Sequence, residues 1–352
     1  MLKTTLKSLL LATMLTAPVS MAFAQEITLR ATATSNEDDE DYDGLVVFKN
    51  FVETASNGDI AVDLFIGTQL CTRGDECLAG VAEGSIDIFV STSGGAAGLF
   101  PYIQVLDLPY LMSDDRVAEH VLSGDFVREL RDLALADSDG LIRLMSVGNT
   151  GGWRSYANTQ KRIETPADLA GMKMRTVPAD LPQTLATALG ASPTPIAWPE
   201  LFTSLQTGVV EGTANGITDI MNMRFPDAGL KYLTLDNHSY MGAFWWMTND
   251  RFMSMSDEHK RIVLDGFAAL QQATFASPKR KEIAAYEAFR AAGGEIYVPT
   301  DEQRAAFRDA ADPAFDWFRA NVPHGPEVLD SFMAHAATAE EAIENARQAD
   351  MN

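Results

Sequence analysis

Strand-like and helix-like segments alternate along most of this chain, from Ile27 to about Ile296, and this alternation constrains the fold more than any other feature. "ITLRATAT" predicts a strand, "GLVVFKNFVETASNG" an amphipathic helix and "IAVDLFIG" the next strand. "GDECLAGVAEG" predicts a helix and "IDIFVST" a buried strand, and after two helices between Asp114 and Asp139 comes the strand "LIRLMSVG". The pattern resumes from Trp153. Alternation of this kind is typical of a parallel sheet with helices on its faces.

From Ser256 the alternation gives way to nearly continuous helix. The segment "SDEHKRIVLDGFAALQQATFASPKRKEIAAYEAFRAAGG" is too long for an ordinary globular helix, and we expect Pro278 to kink or break it. Two more helical segments follow, at roughly 301–321 and 326–347. The sequence therefore predicts two α/β lobes that are fastened by a long helix.

The first 24 residues are typical of a secretory signal. Lys3 and Lys7 form its positive end, "SLLLATMLTAPV" is its apolar run, and Ala22-Phe23-Ala24 is a small-x-small cleavage motif. The apolar run is too short to span a bilayer. We therefore expect cleavage after Ala24 and a mature protein that is exported to the periplasm and soluble there.

The charge and the cysteines narrow the class of protein further. Removing the two signal lysines changes the formal charge from -22 to about -24, and such an acidic protein is a poor partner for nucleic acid, whose phosphates attract lysine and arginine. The two cysteines of the chain, Cys71 and Cys77, lie close together in "CTRGDEC". In an exported protein such a pair indicates a disulfide rather than a metal site.

An exported acidic hydrolase is one alternative function. The chain lacks a G-x-S-x-G elbow, an H-E-x-x-H motif and a phosphate-binding loop, and it shows no G-x-G-x-x-G that would indicate a dinucleotide cofactor. The five histidines are scattered and fall mostly on predicted helix surfaces: His120, His238, His259, His324 and His335. An acidic chain offers many carboxylate pairs of the glycosidase type, and nothing distinguishes one of them. We therefore predict no enzyme activity and no cofactor.

A calcium-binding protein is the second alternative. In "NEDDEDYDG", Asp39, Asp41, Asp43 and Gly44 match positions 1, 3, 5 and 6 of an EF-hand loop. Position 12 should be a glutamate that binds through both oxygens, but it is Asn50, and a predicted strand stands where the first helix should be. The sequence therefore favours a solvated turn or the edge of a cleft, with no metal.

Three segments carry candidate ligand-binding residues. "STSGGAAGLF", with Thr92 near its start, follows a predicted strand, where small residues let backbone N–H groups approach a ligand, although a plain tight turn explains it equally well. Trp198 precedes Pro199 at the start of a predicted helix, a place that favours small polar residues, so its ring is expected to serve contact. "VVEGTAN" predicts a buried strand that ends at Asn215, whose amide can both donate and accept.

The fourth candidate is Arg175 in "DLAGMKMRTVP". Lys173, Arg175 and Val177 share one face of a predicted strand because strand side chains alternate. A solvated strand face and an anion-binding site both remain open on this pattern alone. An arginine is suited to the second role because its fork of donors matches a carboxylate at two points.

Five segments together resemble a known family. They are "FKNFVETASNGDIAVDLFIGTQL", "GVAEGSIDI", "FPYIQVLDLPYLM", "TPADLAGMKMRTVP" and "LGASPTPIAWPELFTSLQTGVVEGTAN". In this order they resemble the extracytoplasmic solute-binding subunit of tripartite ATP-independent periplasmic (TRAP) transporters, of the DctP type. The last two match its motifs D-L-x-G-x-K-x-R and G-A-x-P-x-x-x-x-x-E-x-(Y/F)-x-x-L-Q-x-G-x-(V/I)-(D/E)-G.

The resemblance implies a two-lobed, periplasmic-binding-protein-like α/β fold, with a cleft between the lobes and a long helix bracing both. On this basis we expect residues 25–150 plus about 241–280 to form one lobe. Residues 151–240 plus about 281–352 would form the other lobe and the C-terminal helices. The implied function is capture of a small carboxylate-containing solute for delivery to a membrane permease, with uptake driven by an ion gradient.

The resemblance also implies roles for particular residues. By position in the motifs, Arg175 pairs with the ligand's carboxylate, and Arg154 in "GGWRSYAN" is the second arginine. Trp198 packs on the ligand and Asn215 completes its polar contacts. The acidic segment from Glu37 and Asp38 to Asp41 falls at the family's first strand-to-helix loop, which lines the cleft. Carboxylates there would suit a ligand with a cationic or hydroxyl-rich far end, such as a zwitterionic compatible solute, beside organic and sugar acids.

Overall fold

Two antiparallel strands of 17 residues each, Ile142–Asn158 and Tyr232–Thr248, pair along their length and form the centre of the sheet. The computed structural model describes residues 27–351, so the predicted signal lies outside the described residues. Around the two long strands the chain forms one nine-stranded sheet flanked by helices.

The strands, numbered along the chain, are β1 Ile27–Ala33, β2 Ile60–Ile66, β3 Ile88–Ser91, β4 Ile142–Asn158, β5 Lys173–Thr176, β6 Ser192–Pro195, β7 Gly212–Asn215, β8 Tyr232–Thr248 and β9 Glu295–Tyr297. The α-helices are α1 Glu40–Ala55, α2 Gly74–Ala82, α3 Ser93–Ala96, α4 Asp115–Leu122, α5 Asp125–Asp137, α6 Asp180–Ala188, α7 Leu201–Gln206, α8 Ile217–Asn222, α9 Asn249–Met253, α10 Asp257–Ala291, α11 Asp301–Ala310, α12 Asp312–Asn321 and α13 Gly325–Met351. Short 3-10 helices span Pro101–Asp107, Pro166–Leu169, Trp198–Glu200 and Phe225–Ala228.

The order of strands divides the sheet into two halves. From one edge to the other it reads β2-β1-β3-β8-β4-β7-β5-β6, with β9 added beside β8. The first half contains β1, β2 and β3, together with residues 142–149 of β4 and the part of β8 that pairs with them. The second half contains β5, β6, β7 and β9, together with residues 153–158 of β4 and the part of β8 that pairs with them. The register of β4 against β8 shifts between Asn149 and Trp153, where the halves meet.

The predicted mixed α/β architecture is confirmed, but the expected parallel sheet is only part of it. Strands pair in parallel within each half, as β1 does with β2 and β5 with β6. β8 runs antiparallel to both β3 and β4, and β7 runs antiparallel to β4. The separate strands expected before and after Trp153 form the single strand β4, because the backbone keeps pairing with β8 across the register shift.

The long helix predicted from Ser256 is confirmed. Ser256 caps α10 by accepting a hydrogen bond from the backbone N–H of His259 at 3.1 Å. Pro278 was expected to kink or break the helix. It does not break it, because α10 continues through this buried proline and is 35 residues long. Packing along both parts of the helix holds it together despite the missing backbone donor.

Three clusters of buried apolar residues, within residues 27–351, hold the two halves of the sheet together with their helices. Val263, Phe267 and Leu270 of α10 lie in the cluster of the first half with α1, whereas Ala285 and Phe289 lie in the cluster of the second half. The third and largest cluster contains residues of both halves and of α11, α12 and α13. α10 therefore braces both halves.

The predicted disulfide is also confirmed. Cys71 and Cys77 are bonded, with their Cα atoms 5.3 Å apart, at the start of α2. Both are buried. None of the helices in the described part of the chain has a stretch long and apolar enough to cross a membrane.

The contact between α1 and α10 gives a test of the brace. The rings of Phe48 and Phe267 are 4.6 Å apart and both are fully buried. We expect Phe267→Ala to lower the free energy of unfolding by about 3–5 kcal/mol, because it removes apolar contacts and leaves a cavity. Urea unfolding followed by circular dichroism measures this. Leu264→Ala, at an exposed position of the same helix, is the control and should change it by less than about 0.5 kcal/mol. Equal losses in both variants would contradict the assigned packing.

Candidate functional site

A cavity of about 600 Å³ lies between the two halves of the sheet. Its lining comes from the ends of strands in both halves: Thr34 and Ser35 follow β1, Thr92 follows β3, and Asn215 ends β7. Strand ends at the meeting point of two sheet halves are a common place for ligands in α/β proteins, since loops there can approach from both sides.

Arg175 reaches this cavity from β5. Only 5% of the residue is exposed, although Lys173 two positions earlier is exposed. Its Nε donates to the carbonyl oxygen of Ile196 at 2.9 Å, which fixes the guanidinium group, while its two terminal amino groups have no hydrogen-bond partner among residues 27–351. Burial, with a smaller contribution from the neighbouring Arg154, lowers the pKa of Arg175 to about 9. A buried guanidinium group with unused donors is suited to binding an anion.

Arg154 reaches the same cavity from β4. It is 7% exposed, and one of its terminal amino groups donates to the carbonyl oxygen of Ala214 at 2.9 Å. Its Nε lies 3.9 Å from a carboxylate oxygen of Asp107. Burial raises the pKa of Asp107, and the charge of Arg154 acts in the opposite direction. The structure thus brings Arg175 together with Arg154, the second arginine that the family resemblance implied.

Trp198 and Asn215 also line the cavity. The Trp198 ring centre lies 5.7 Å from the Arg175 guanidinium carbon and packs edge-on against Phe225. The predicted α-helix does not begin at Pro199: Trp198 starts a 3-10 turn and α7 follows it. Asn215 accepts from Thr213 at 2.7 Å and donates to Asp219 at 3.0 Å, so its amide orientation is fixed by neighbours.

The remaining candidates separate into two groups. Thr92 lines the cavity and caps α3, with its hydroxyl accepting from the Gly95 backbone N–H at 3.3 Å. Glu37 and Asp38 are exposed and are not among the lining residues. Asp39 and Asp41, which follow shortly along the chain, line the cavity instead, because the chain turns into α1 at Asp39 and directs these two side chains inward.

Asp39, Asp41 and Asp43, the residues of the incomplete EF-hand match, do not form a loop in the structure. Asp39 is the N-cap of α1, so the residues that follow it are helical rather than looped. Asp43 points away from the cavity and pairs with Lys281 at 2.8 Å. A calcium site of this type, built from Asp39, Asp41 and Asp43, is therefore excluded.

Four buried carboxylates nevertheless lie close enough to interact: Asp39, Asp41 and Asp219, which line the cavity, and Glu40, which does not. Burial and the nearby Glu40 raise the pKa of Asp39 to about 7. Burial likewise raises the pKa values of the other three, and repulsion adds to the effect, from Asp39 and Glu40 for Asp41 and Asp219 and from Asp43 for Glu40. The cavity lining therefore combines two buried arginines, Arg154 and Arg175, with a group of buried carboxylates.

Sequence reasoning missed Asp219. It stands in the first turn of α8, shortly after Asn215, and acids are common in first turns because they complement the helix dipole. The pattern therefore gave no signal that this acid would meet residues from the start of α1, far earlier in the chain.

A cleft of this kind, between two halves of an α/β fold and with buried charges of both signs, is typical of a protein that captures a small solute. The chain belongs to the DctP family, described as bacterial extracellular solute-binding protein, family 7, which matches residues 31–321. It is thus a solute-binding protein and not an enzyme, as expected.

Relatives of known name support this assignment. The chain is 28% identical over 306 residues to the 2,3-diketo-L-gulonate-binding periplasmic protein of Escherichia coli (strain K12), covering 86% of this chain and 90% of that protein. It is 26% identical to the ectoine-binding periplasmic protein of Halomonas elongata, over 84% of this chain and 87% of the relative. A TRAP periplasmic solute-binding protein from Ochrobactrum anthropi has the same fold, with a TM-score of 0.80, 26% identity and coverage of 92% and 98% of the two chains.

The raised pKa values generate a prediction about pH. The pKa of Asp39 is higher in the folded than in the unfolded protein, so this group's effect on stability worsens as the pH rises from about 4 to about 7. A tenfold change in proton affinity corresponds to about 1.4 kcal/mol. Asp39→Asn removes the charge and keeps the helix cap. We expect it to raise the melting temperature by several degrees at pH 8 and by clearly less at pH 5, in a buffer that contains a chelator.

The control for this prediction is Asp63→Asn, at an exposed position on β2. Its effect on the melting temperature should be small and equal at both pH values. If Asp39→Asn behaves in the same way, the Asp39 carboxylate does not carry a burial cost.

Proposed function

We propose that this chain captures a small carboxylate-bearing solute in the cavity between its two halves. The observation that carries the proposal is the pair of buried arginines, because Arg175 has two terminal amino groups unused and Arg154 adds a second charge beside it. A carboxylate can accept two parallel hydrogen bonds from a guanidinium group. The relatives named above bind a sugar acid and ectoine, each of which carries a carboxylate group.

The other cavity residues have supporting roles in this proposal. Trp198 would cover an apolar face of the ligand while its ring also packs on the Arg175 guanidinium group. Asn215, fixed by Thr213 and Asp219, would complete the polar contacts. Thr92 would face the ligand from the first half of the sheet. Glu37 and Asp38 have no role in this proposal, since both residues are exposed and neither lines the cavity.

Capture would involve movement of the two halves as lobes. We assign residues 25–150 with about 241–280 to one lobe and 151–240 with about 281–352 to the other. The proposal is supported by the register shift between Asn149 and Trp153 and by the separate apolar clusters that the two ends of α10 join. Closure would exclude water and strengthen the ion pair. A micromolar dissociation constant corresponds to about -8 kcal/mol, which a buried two-point ion pair, an aromatic contact and closure can supply.

The wider setting follows from the family. The relatives are periplasmic proteins, and the predicted signal with cleavage after Ala24 would deliver this chain to the same compartment. There the loaded protein would dock on the TRAP membrane permease, which takes up the solute at the expense of an ion gradient.

Titration calorimetry with 2,3-diketo-L-gulonate, C4-dicarboxylates and ectoine tests the proposal. For the ligand that binds best, we expect Arg175→Gln to weaken the affinity by about 100-fold or more, because two charge-assisted hydrogen bonds of about 1.5–3 kcal/mol each are lost. The free energy of unfolding should stay equal or rise, since an unpaired buried charge is removed. Arg128→Gln, at an exposed position on α5, is the matched control and should bind normally. Unchanged affinity in Arg175→Gln would contradict the proposal.

A further inference from the structure

Three of the buried carboxylates converge from two distant parts of the chain. Asp39 and Glu40 stand at the start of α1, and Asp219 stands in the first turn of α8. One oxygen of each lies within 4.8 Å of the others. All three residues are almost completely buried, and Asp39 and Asp219 face the cavity.

Several polar atoms at this place are unused. Both carboxylate oxygens of the fully buried Glu40 lack a hydrogen-bond partner among residues 27–351. The Thr218 hydroxyl, which lies beside Glu40, is buried and equally lacks a partner of good geometry within the described chain. Buried polar groups are normally paired, and an exception calls for a cause such as a bound ion.

Basic side chains act on the three carboxylates only without direct pairing: the charge of Lys281 favours the ionised forms of Asp39 and Glu40, and the charge of Arg154 favours that of Asp219. Lys281 is the nearby lysine, and its ammonium group pairs with Asp43 at 2.8 Å and donates to the backbone oxygen of Asp38 at 2.7 Å. Arg154 is oriented by the Ala214 carbonyl oxygen. Within residues 27–351, no ion pair involves any of the three carboxylates.

We infer that Asp39, Glu40 and Asp219 together hold one Ca²⁺ ion. All the donors are oxygen atoms, which hard cations prefer. Ca²⁺ binds oxygens at about 2.3–2.6 Å, so two of its ligands lie at most about 5 Å apart, in keeping with the observed spacing. Mg²⁺ requires a tighter octahedron at about 2.0–2.1 Å. The Thr218 hydroxyl is a further oxygen donor from α8.

The position of the site gives the ion a structural role. Leu45 and Phe48 of α1 belong to the apolar cluster of the first half, whereas Ile217 and Ile220 of α8 belong to that of the second half. An ion that binds the three carboxylates therefore connects the two halves. It also neutralises the repulsion among the three clustered carboxylates. The inference rests on these carboxylates and not on capture of a carboxylate solute.

Titration of the chelator-stripped protein with CaCl₂ tests the inference, with MgCl₂ as a parallel titrant and no organic solute present. We expect one Ca²⁺ per chain, Mg²⁺ affinity at least tenfold lower, and a Ca²⁺-dependent rise in melting temperature. Asp219→Asn and Glu40→Gln should each weaken Ca²⁺ binding at least tenfold. The exposed Asp63→Asn is the matched control and should bind Ca²⁺ as the wild type does.

The variants are chosen so that they keep the fold. In Asp219→Asn the introduced amide would still accept the hydrogen bond that Asn215 donates to this position, and far-UV circular dichroism verifies folding. The inference is wrong if no Ca²⁺ binds, if Mg²⁺ binds equally well, or if both variants bind Ca²⁺ normally. It is also wrong if the cluster responds only to a solute that bears a protonated amine. Arg175→Gln separates the two proposals, because it should lose carboxylate binding and keep Ca²⁺ binding.

Discussion

The rest of the structure depends on the antiparallel pairing of β4 with β8. These two strands are shared by both halves of the sheet, and every other strand except β1, β2, β5 and β6 pairs with one of them. At their centre, Gly151 and Gly152 adopt positive φ angles of 90° and 83°, which glycine reaches without strain. A Cβ atom on Gly151 would lie 2.6 Å from the Asp219 carboxylate. The register shift thus allows α8 to approach β4. Arg154 lies on β4 directly after this shift.

The same arrangement explains why the cavity can contain so many buried charges. A single buried charge is costly, but here cationic and acidic groups line the same cavity, and each group lowers the cost of burying the other. The charge of Arg154 stabilises the ionised form of Asp219, and the charge of Asp219 stabilises protonated Arg175. The unpaired donors of Arg175 are available to an anionic group, and the clustered carboxylates are available to a cation. A binding site built in this way favours a ligand whose charge distribution is complementary to its own.

Much of the fold could be predicted from the sequence, because the alternation of strand-like and helix-like hydrophobic patterns and the length of α10 are local signals. The continuity of β4 could not, since "SVGNTGGW" contains turn-forming residues and only pairing with β8 keeps it extended. Arg175 could be placed on a strand from its neighbours, but its burial depends on the Ile196 carbonyl group across the adjacent connection. Arg154 was found through the resemblance alone. The residue at which α1 begins determines which acidic side chains point into the cavity, and the sequence does not fix that residue. Asp219 lies near these acids only because α8 packs close to the start of α1 in the folded protein.

The path of the chain between the halves has a consequence for how such a protein can change its specificity. The chain passes from the first half to the second along β4, returns along β8 and passes again along α10. No single cut separates one half with all its strands, in contrast to domains joined by one linker, which can be exchanged as units. A hybrid of two relatives would need a junction inside each of these three packed elements. We therefore expect this architecture to diversify by substitution of individual cavity side chains rather than by recombination of whole lobes.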